Sequence, residues 1–200
     1  MRRFLMIFLL FLALGVANAG QIENLLRNAD FSAGLDGWEI LGAAGTAEIG
    51  DGTVTLRIAK GNDAGIFKLQ QPIRTMEVGH IYRCYFTVDC EQPQTRPMVI
   101  SYRMRNKPKN LGLFRQLPLR QGLQKIFVEI IPGLESDDPQ DPPVLSLYLG
   151  ELDGKVVLSD MFLVDLTRID AEPPPFSEEW TVFGLIRPDD AAPVDAIPGG

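Results

Sequence analysis

The chain has 200 residues with 19 basic against 26 acidic side chains, a net charge of -7 and a sequence pI of about 4.8. An acidic surface repels nucleic acid, which removes nucleic-acid binding from the functions to consider, and otherwise favours solubility without naming a partner. A chain of this length can bury a sizeable core in one generous domain, or in one domain with an appendage.

The N-terminus begins Met1-Arg2-Arg3 and continues as an apolar run from Phe4 to Leu14. It ends in Gly15-Val16-Ala17-Asn18-Ala19. These are the three regions of a secretory signal peptide, predicted over residues 1–19 with the cut after Ala19. The run of about 11 residues falls short of the roughly 20 needed to cross a bilayer, and no later run is longer, so no membrane span is predicted. Gly20 and Gln21 stand where a lipid-anchored protein would carry a cysteine. The expected location is secreted, periplasmic or cell-surface. Losing Arg2 and Arg3 lowers the 19 basic residues to 17 against 26 acids, taking the net charge from -7 to -9.

From residue 20 to 168 the pattern is one of short β-type runs punctuated by Gly, Pro, Asn and Asp, with no amphipathic helix of ten or more residues. Strands are expected at Ile22–Leu26, Trp38–Leu41, Val54–Ile58 and Ala64–Leu69, then at Ile81–Asp89, Met98–Met104 and Leu113–Leu117. Lys125–Ile130, Leu145–Leu149 and Val156–Asp165 complete the set. In the clearest, Tyr82, Cys84, Phe86 and Val88 form an apolar face, with Arg83, Tyr85, Thr87 and Asp89 opposite. About ten such strands predict an all-β, two-sheet antiparallel sandwich or jelly roll. Cys84 and Cys90 lie about 20 Å apart along one strand, too far for a disulfide, although an exported protein permits one. Glu135 to Pro143 is an acidic, proline-rich loop. The run Ala171-Glu172-Pro173-Pro174-Pro175-Phe176 is a stiff linker. Residues 169–200 therefore read as a Pro-rich linker and tail, with one further strand near Glu179–Gly184, either opening a second module or packing back on the sandwich.

The segment Asn24-Leu25-Leu26-Arg27-Asn28-Ala29-Asp30-Phe31, followed by Gly34 and Trp38, resembles the opening of carbohydrate-binding modules of the family 4, 9 and 22 group. So do the turn Val78-Gly79-His80-Ile81-Tyr82, the glutamine at Gln70 or Gln71, and the closing run Val156 to Leu163. The resemblance implies the galactose-binding-like jelly roll and makes Trp38 a core residue. It also implies a structural Ca2+ between the opening segment and the closing strand, held through Asp160 and Asp30. Ser32 and Ser159 stand where that group carries a glutamate and an aspartate, which removes two carboxylates from the site.

His80 is the sole histidine and lies in a turn, so no Ser-His-Asp network is expected, and no phosphate loop or Cys/His metal spacing is present. The chain reads as no enzyme. Sugar binding needs an aromatic plate flanked by polar side chains. Tyr85 with Arg83, Phe127 with Glu129, and Tyr148 project away from the inferred core and are the expected ligand-binding set, although strands of opposite sheets cannot all line one cleft. Arg103 and Arg105 also point outward, in a basic hairpin, Arg103 to Lys109, suited to an anionic glycan or membrane surface or simply to solvent. The expected partner is a polysaccharide or glycan. The rival is a structural or adhesion module packing against a neighbouring protein module: an open aromatic cleft favours sugar, and a face sealed by the tail favours the rival.

Overall fold

The structure, a computed structural model, describes residues 23–59, 67–107, 109–136 and 138–168, together with the backbone of 180–183. The expected signal peptide, and the tail apart from 180–183, lie outside the described residues.

In chain order the strands are β1 (Glu39–Leu41), β2 (Gly45–Gly50), β3 (Thr53–Ile58), β4 (Lys68–Pro72), β5 (Tyr82–Cys90) and β6 (Met98–Met104). They continue as β7 (Asn110–Leu117), β8 (Gly122–Ile130), β9 (Pro143–Tyr148), β10 (Gly154–Asp165) and β11 (Trp180–Phe183), with a single 3-10 turn at Leu166–Arg168. They form a five-stranded sheet, β1-β4-β9-β6-β7, and a six-stranded sheet, β11-β8-β5-β10-β3-β2. All pairs are antiparallel except β11 with β8. The fold is the all-β jelly-roll sandwich the alternation predicts.

Alternation drives the assembly, because successive side chains leave a strand on opposite faces. Cys84, Phe86 and Val88 of β5 and Leu69, Leu147 and Ile100 of the five-stranded sheet are fully or almost fully buried in one core between the sheets. Cys84 and Cys90 are free thiols within it, and burial pushes them up to about 12 and about 11, which makes both poor nucleophiles.

Of the strand expected at Ile22–Leu26, residues 23–26 are described and form no strand, and residues 23–38 contain none. Asn24 replaces strand pairing with side-chain bonds: its Oδ1 accepts from the Leu26 and Leu163 amides, and its Nδ2 donates to the Met161 carbonyl. The segment instead joins the sheets. Leu25 N donates to Leu163 O on β10, while the Gln71 side chain on β4 accepts from Arg27 N at 2.8 Å and donates to Arg27 O at 2.9 Å. Leu26, Phe31 and Trp38 close this end of the core, with Trp38 Nε1 donating to Asn28 O. Two further differences are the unpredicted β2, and β4 starting at Lys68 where Ala64 was expected.

Candidate functional site

Cross-strand partners share a face, so the register assigns every outward side chain of the five-stranded sheet. One row runs Glu39, Gln70, Ser146, Ser101, Phe114 across β1, β4, β9, β6 and β7; the next runs Leu41, Lys68, Tyr148, Val99, Gln116. Pro72, Val144, Arg103 and Asn110 make a third. A register shift between Tyr102 and Arg103 sets Arg103 opposite Asn110. The shift is held by Asn110 Oδ1, which accepts from the Gly112 and Leu113 amides. Only glycine suits position 112: its φ is +136° and a Cβ would stand 2.5 Å from Ile131 O.

This outer face is polar and partly desolvated. Ser146 (0% exposed) and Ser101 (2%) form its floor, with Gln70 similarly buried. Gln70 Nε2 donates to Glu39 Oε2 at 2.9 Å, and Arg105 Nη2 reaches Glu39 Oε1 at 2.6 Å. Tyr148 is half-buried between two cations: Lys68 Nζ is 5.5 Å and Arg103 Cζ 6.0 Å from its ring centroid. Burial, and after it the Arg103 charge, holds the Lys68 ammonium below the ordinary lysine range. Ser101 Oγ and Arg103 Nε are buried and have no hydrogen-bond partner. Asp141 Oδ2 shares that state, and the Ser101 hydroxyl and the Arg103 N–H add hydrogen-bonding capacity to this face. At the β1 end the face meets a cavity of about 290 Å³ lined by Arg27, Gly37, Trp38, Glu39 and Pro72.

The five expected ligand-binding residues do not converge. Tyr148 lies on this face, whereas Arg83, Tyr85, Phe127 and Glu129 lie on the outer face of the other sheet, through the register Arg83↔Glu129 and Tyr85↔Phe127. There Tyr85 (8% exposed) and Phe127 (3%) are buried with Val164 in a second apolar cluster that Phe162 and Leu166 adjoin. Arg83 is ion-paired with Glu129, donates to the Tyr85 hydroxyl at 3.3 Å and sits 4.8 Å from the Phe127 ring. Burial leaves Tyr85 and Phe127 little free ring face, whereas Tyr148 shares its face with groups the sequence reading left aside: Glu39, Lys68, Gln70 and Ser101. The signal was present in the alternation of β4 and β6, where polar side chains face those of β9, but it needs the strand pairing to be read.

Asp30 and Asp160, the carboxylates expected to hold Ca2+, do share a hollow of about 550 Å³, which Asn24, Asn28, Asp51 and Ser159 also line. Asp160 sits at a β10 bulge with φ +51°. Among the described residues, however, no three His, Cys, Asp or Glu side chains group to hold a metal ion. Asp30 Oδ1 is engaged by the amide and hydroxyl of Ser32, Asp160 Oδ2 by the Ser159 hydroxyl, and Asn24 Oδ1 by two amides. One carboxylate oxygen each of Asp30 and Asp160 is thus taken up within the protein, where calcium needs six to eight oxygen ligands.

His80 is more tied down than a solvated turn residue: Nδ1 lies 2.8 Å from Asp165 Oδ2 and Nε2 3.2 Å from Glu77 Oε2. Both ring nitrogens thus face carboxylates, an arrangement that activates no hydroxyl or thiol.

No protein-family profile matches the chain, and no curated protein sequence does either. Solved structures do. The second N-terminal cellulose-binding domain of Cellulomonas fimi β-1,4-glucanase C matches with a TM-score of 0.61 at 16% identity, over 74% of this chain and 98% of that one. A family 4 carbohydrate-binding module (CBM4) matches with a TM-score of 0.59 at 15% identity, over 68% and 99%. The chain therefore has the β-sandwich fold of carbohydrate-binding modules. A Stig cyclase from Fischerella sp. TAU shares it at a TM-score of 0.51 and 11% identity, over 72% of this chain and 97% of that one, so the fold by itself does not decide between binding and catalysis.

Proposed function

We propose that the protein is an exported, non-catalytic module that binds a polysaccharide or glycan on the outer face of its five-stranded sheet. The observation that carries this reading is the pair of buried, unbonded groups, Ser101 Oγ and Arg103 Nε, beside the half-buried ring of Tyr148. A pyranose ring laid on Tyr148 brings hydroxyls towards the Ser101 hydroxyl and the Arg103 guanidinium, groups able to hydrogen-bond it. The non-catalytic part is supported by His80, whose two nitrogens are committed to carboxylates. Export rests on the N-terminal signal pattern.

Affinity electrophoresis of the mature protein against β-glucan, xylan, galactan, polygalacturonate and dextran sulfate tests the reading. Retardation by at least one polymer is expected, with Tyr148→Ala weakening it about tenfold, equivalent to about 1.4 kcal/mol. Mobility unchanged in every gel overturns it.

A structural role is favoured for the other outer face. We infer that this outer face packs against a protein segment and takes no sugar, which the burial of Tyr85, Phe127 and Val164 supports.

A further inference from the structure

The charges on the five-stranded face specify what kind of glycan it takes, an inference that rests on the reading just proposed. Lys68, Arg103 and Arg105 stand there against one carboxylate, Glu39, which Arg105 and Gln70 already engage. Elsewhere five cations are ion-paired: Arg57 with Glu48, Arg74 with Glu23, Arg83 with Glu129, Lys107 with Asp138, Arg168 with Glu77; Arg27, Arg96, Arg115, Arg120 and Lys155 show no such pair among the described residues but are exposed or half-buried, whereas Lys68 is buried. Among the described residues Lys68 and Arg103 have no carboxylate within 4.0 Å, yet both are packed against the Tyr148 ring. Lys68 is only 7% exposed, and the Arg103 Nε is buried without a partner.

Ring faces attract cations only modestly, and two desolvated cations beside one ring repel each other. Three cations against one carboxylate, Glu39, which acts on Lys68 electrostatically but is bonded to Arg105 and Gln70, leave this face short of negative charge in a chain with 26 acidic residues. An anion over Tyr148 would meet both the ammonium and the planar fork of the guanidinium, partners suited to a carboxylate or sulfate oxygen pair. We infer that the ligand is an acidic glycan, whose carboxylate or sulfate group sits between Lys68 and Arg103 while a sugar ring stacks on Tyr148.

The test is isothermal titration of the mature protein with polygalacturonate and with the same polymer after carboxyl reduction, and with dextran sulfate and dextran. The expected result is binding to one acidic member, at least tenfold weaker for its neutral partner, with Kd rising as salt is raised from 50 to 300 mM; which of the two pairs responds separates carboxylate from sulfate. Lys68→Gln and Arg103→Gln should each cost about fivefold or more, with thermal unfolding monitored alongside. The polymer comparison uses wild-type protein alone and stands whether or not the variants fold. Equal affinity for acidic and neutral members overturns the inference and leaves glycan binding intact. Full affinity in both variants, or equal binding to single-stranded DNA, also overturns it. Binding to none of these polymers, nor to β-glucan or xylan, sinks both readings together.

Discussion

Lys68 lies mid-sheet, where the strand holds its ammonium against Tyr148 and within reach of the Arg103 charge. Its folded pKa is depressed, so between that value and the unfolded 10.5 the unfolded chain binds more protons and stability rises with pH. Below the folded pKa the penalty is fully present. Lys68→Met keeps the stem and removes the charge. It should therefore raise Tm at pH 7, with an advantage over wild type that narrows towards pH 10. Thermal denaturation at both pH values checks this, and a variant no more stable than wild type at pH 7 contradicts it. The same substitution weakens an anionic ligand, so stability and binding move in opposite directions at this residue.

Paired strands decide the fate of the mixed faces. On β5 and β8 the polar and aromatic side chains opposite the core were legible as outward-facing from alternation alone, and the register bears that out. Their burial was not legible, because a period of two says which side of a sheet a residue takes and nothing about what lies over that side. Arg83 and Glu129 now form a buried ion pair. Glu129→Gln leaves a desolvated guanidinium and should lower the unfolding free energy by about 3 kcal/mol. Arg83→Met with Glu129→Leu should recover most of it. Urea denaturation of the three proteins measures both effects, and additive losses in the double variant would show that the pair is not coupled. Similar limits explain β2 and the opening segment. Gly45–Gly50 is poor in β-formers and becomes a strand by pairing with β3, whereas Ile22–Leu26 has strand composition but gives its bonding to the Asn24 side chain.

At the scale of the molecule the sandwich presents two outer faces with different occupations. Ending the chain after Arg168 removes β11 and leaves β8 as an open edge of the six-stranded sheet, the sheet whose outer face carries the apolar cluster of Tyr85, Phe127 and Val164. The truncated protein should lose several degrees of Tm and bind a hydrophobic dye or self-associate, while Tyr148-dependent glycan binding persists. Light scattering and affinity electrophoresis read the two outcomes, and a truncated protein as stable and monomeric as the full chain shows that β11 adds nothing to this sheet.

Strand class, the core position of Cys84, and the outward direction of Tyr85, Phe127 and Tyr148 were determined by the order of residues, because alternation and turn chemistry are local; the core position of Trp38 came with the resemblance to carbohydrate-binding modules. Which of those aromatics share a face, that Lys68 and Arg103 meet at Tyr148 with no carboxylate within 4.0 Å among the described residues, and that Tyr85 and Phe127 are buried were decided only by tertiary structure. Each of these depends on which distant strands become neighbours, and pairing energy is spread over whole sheets, with no single short motif to announce it.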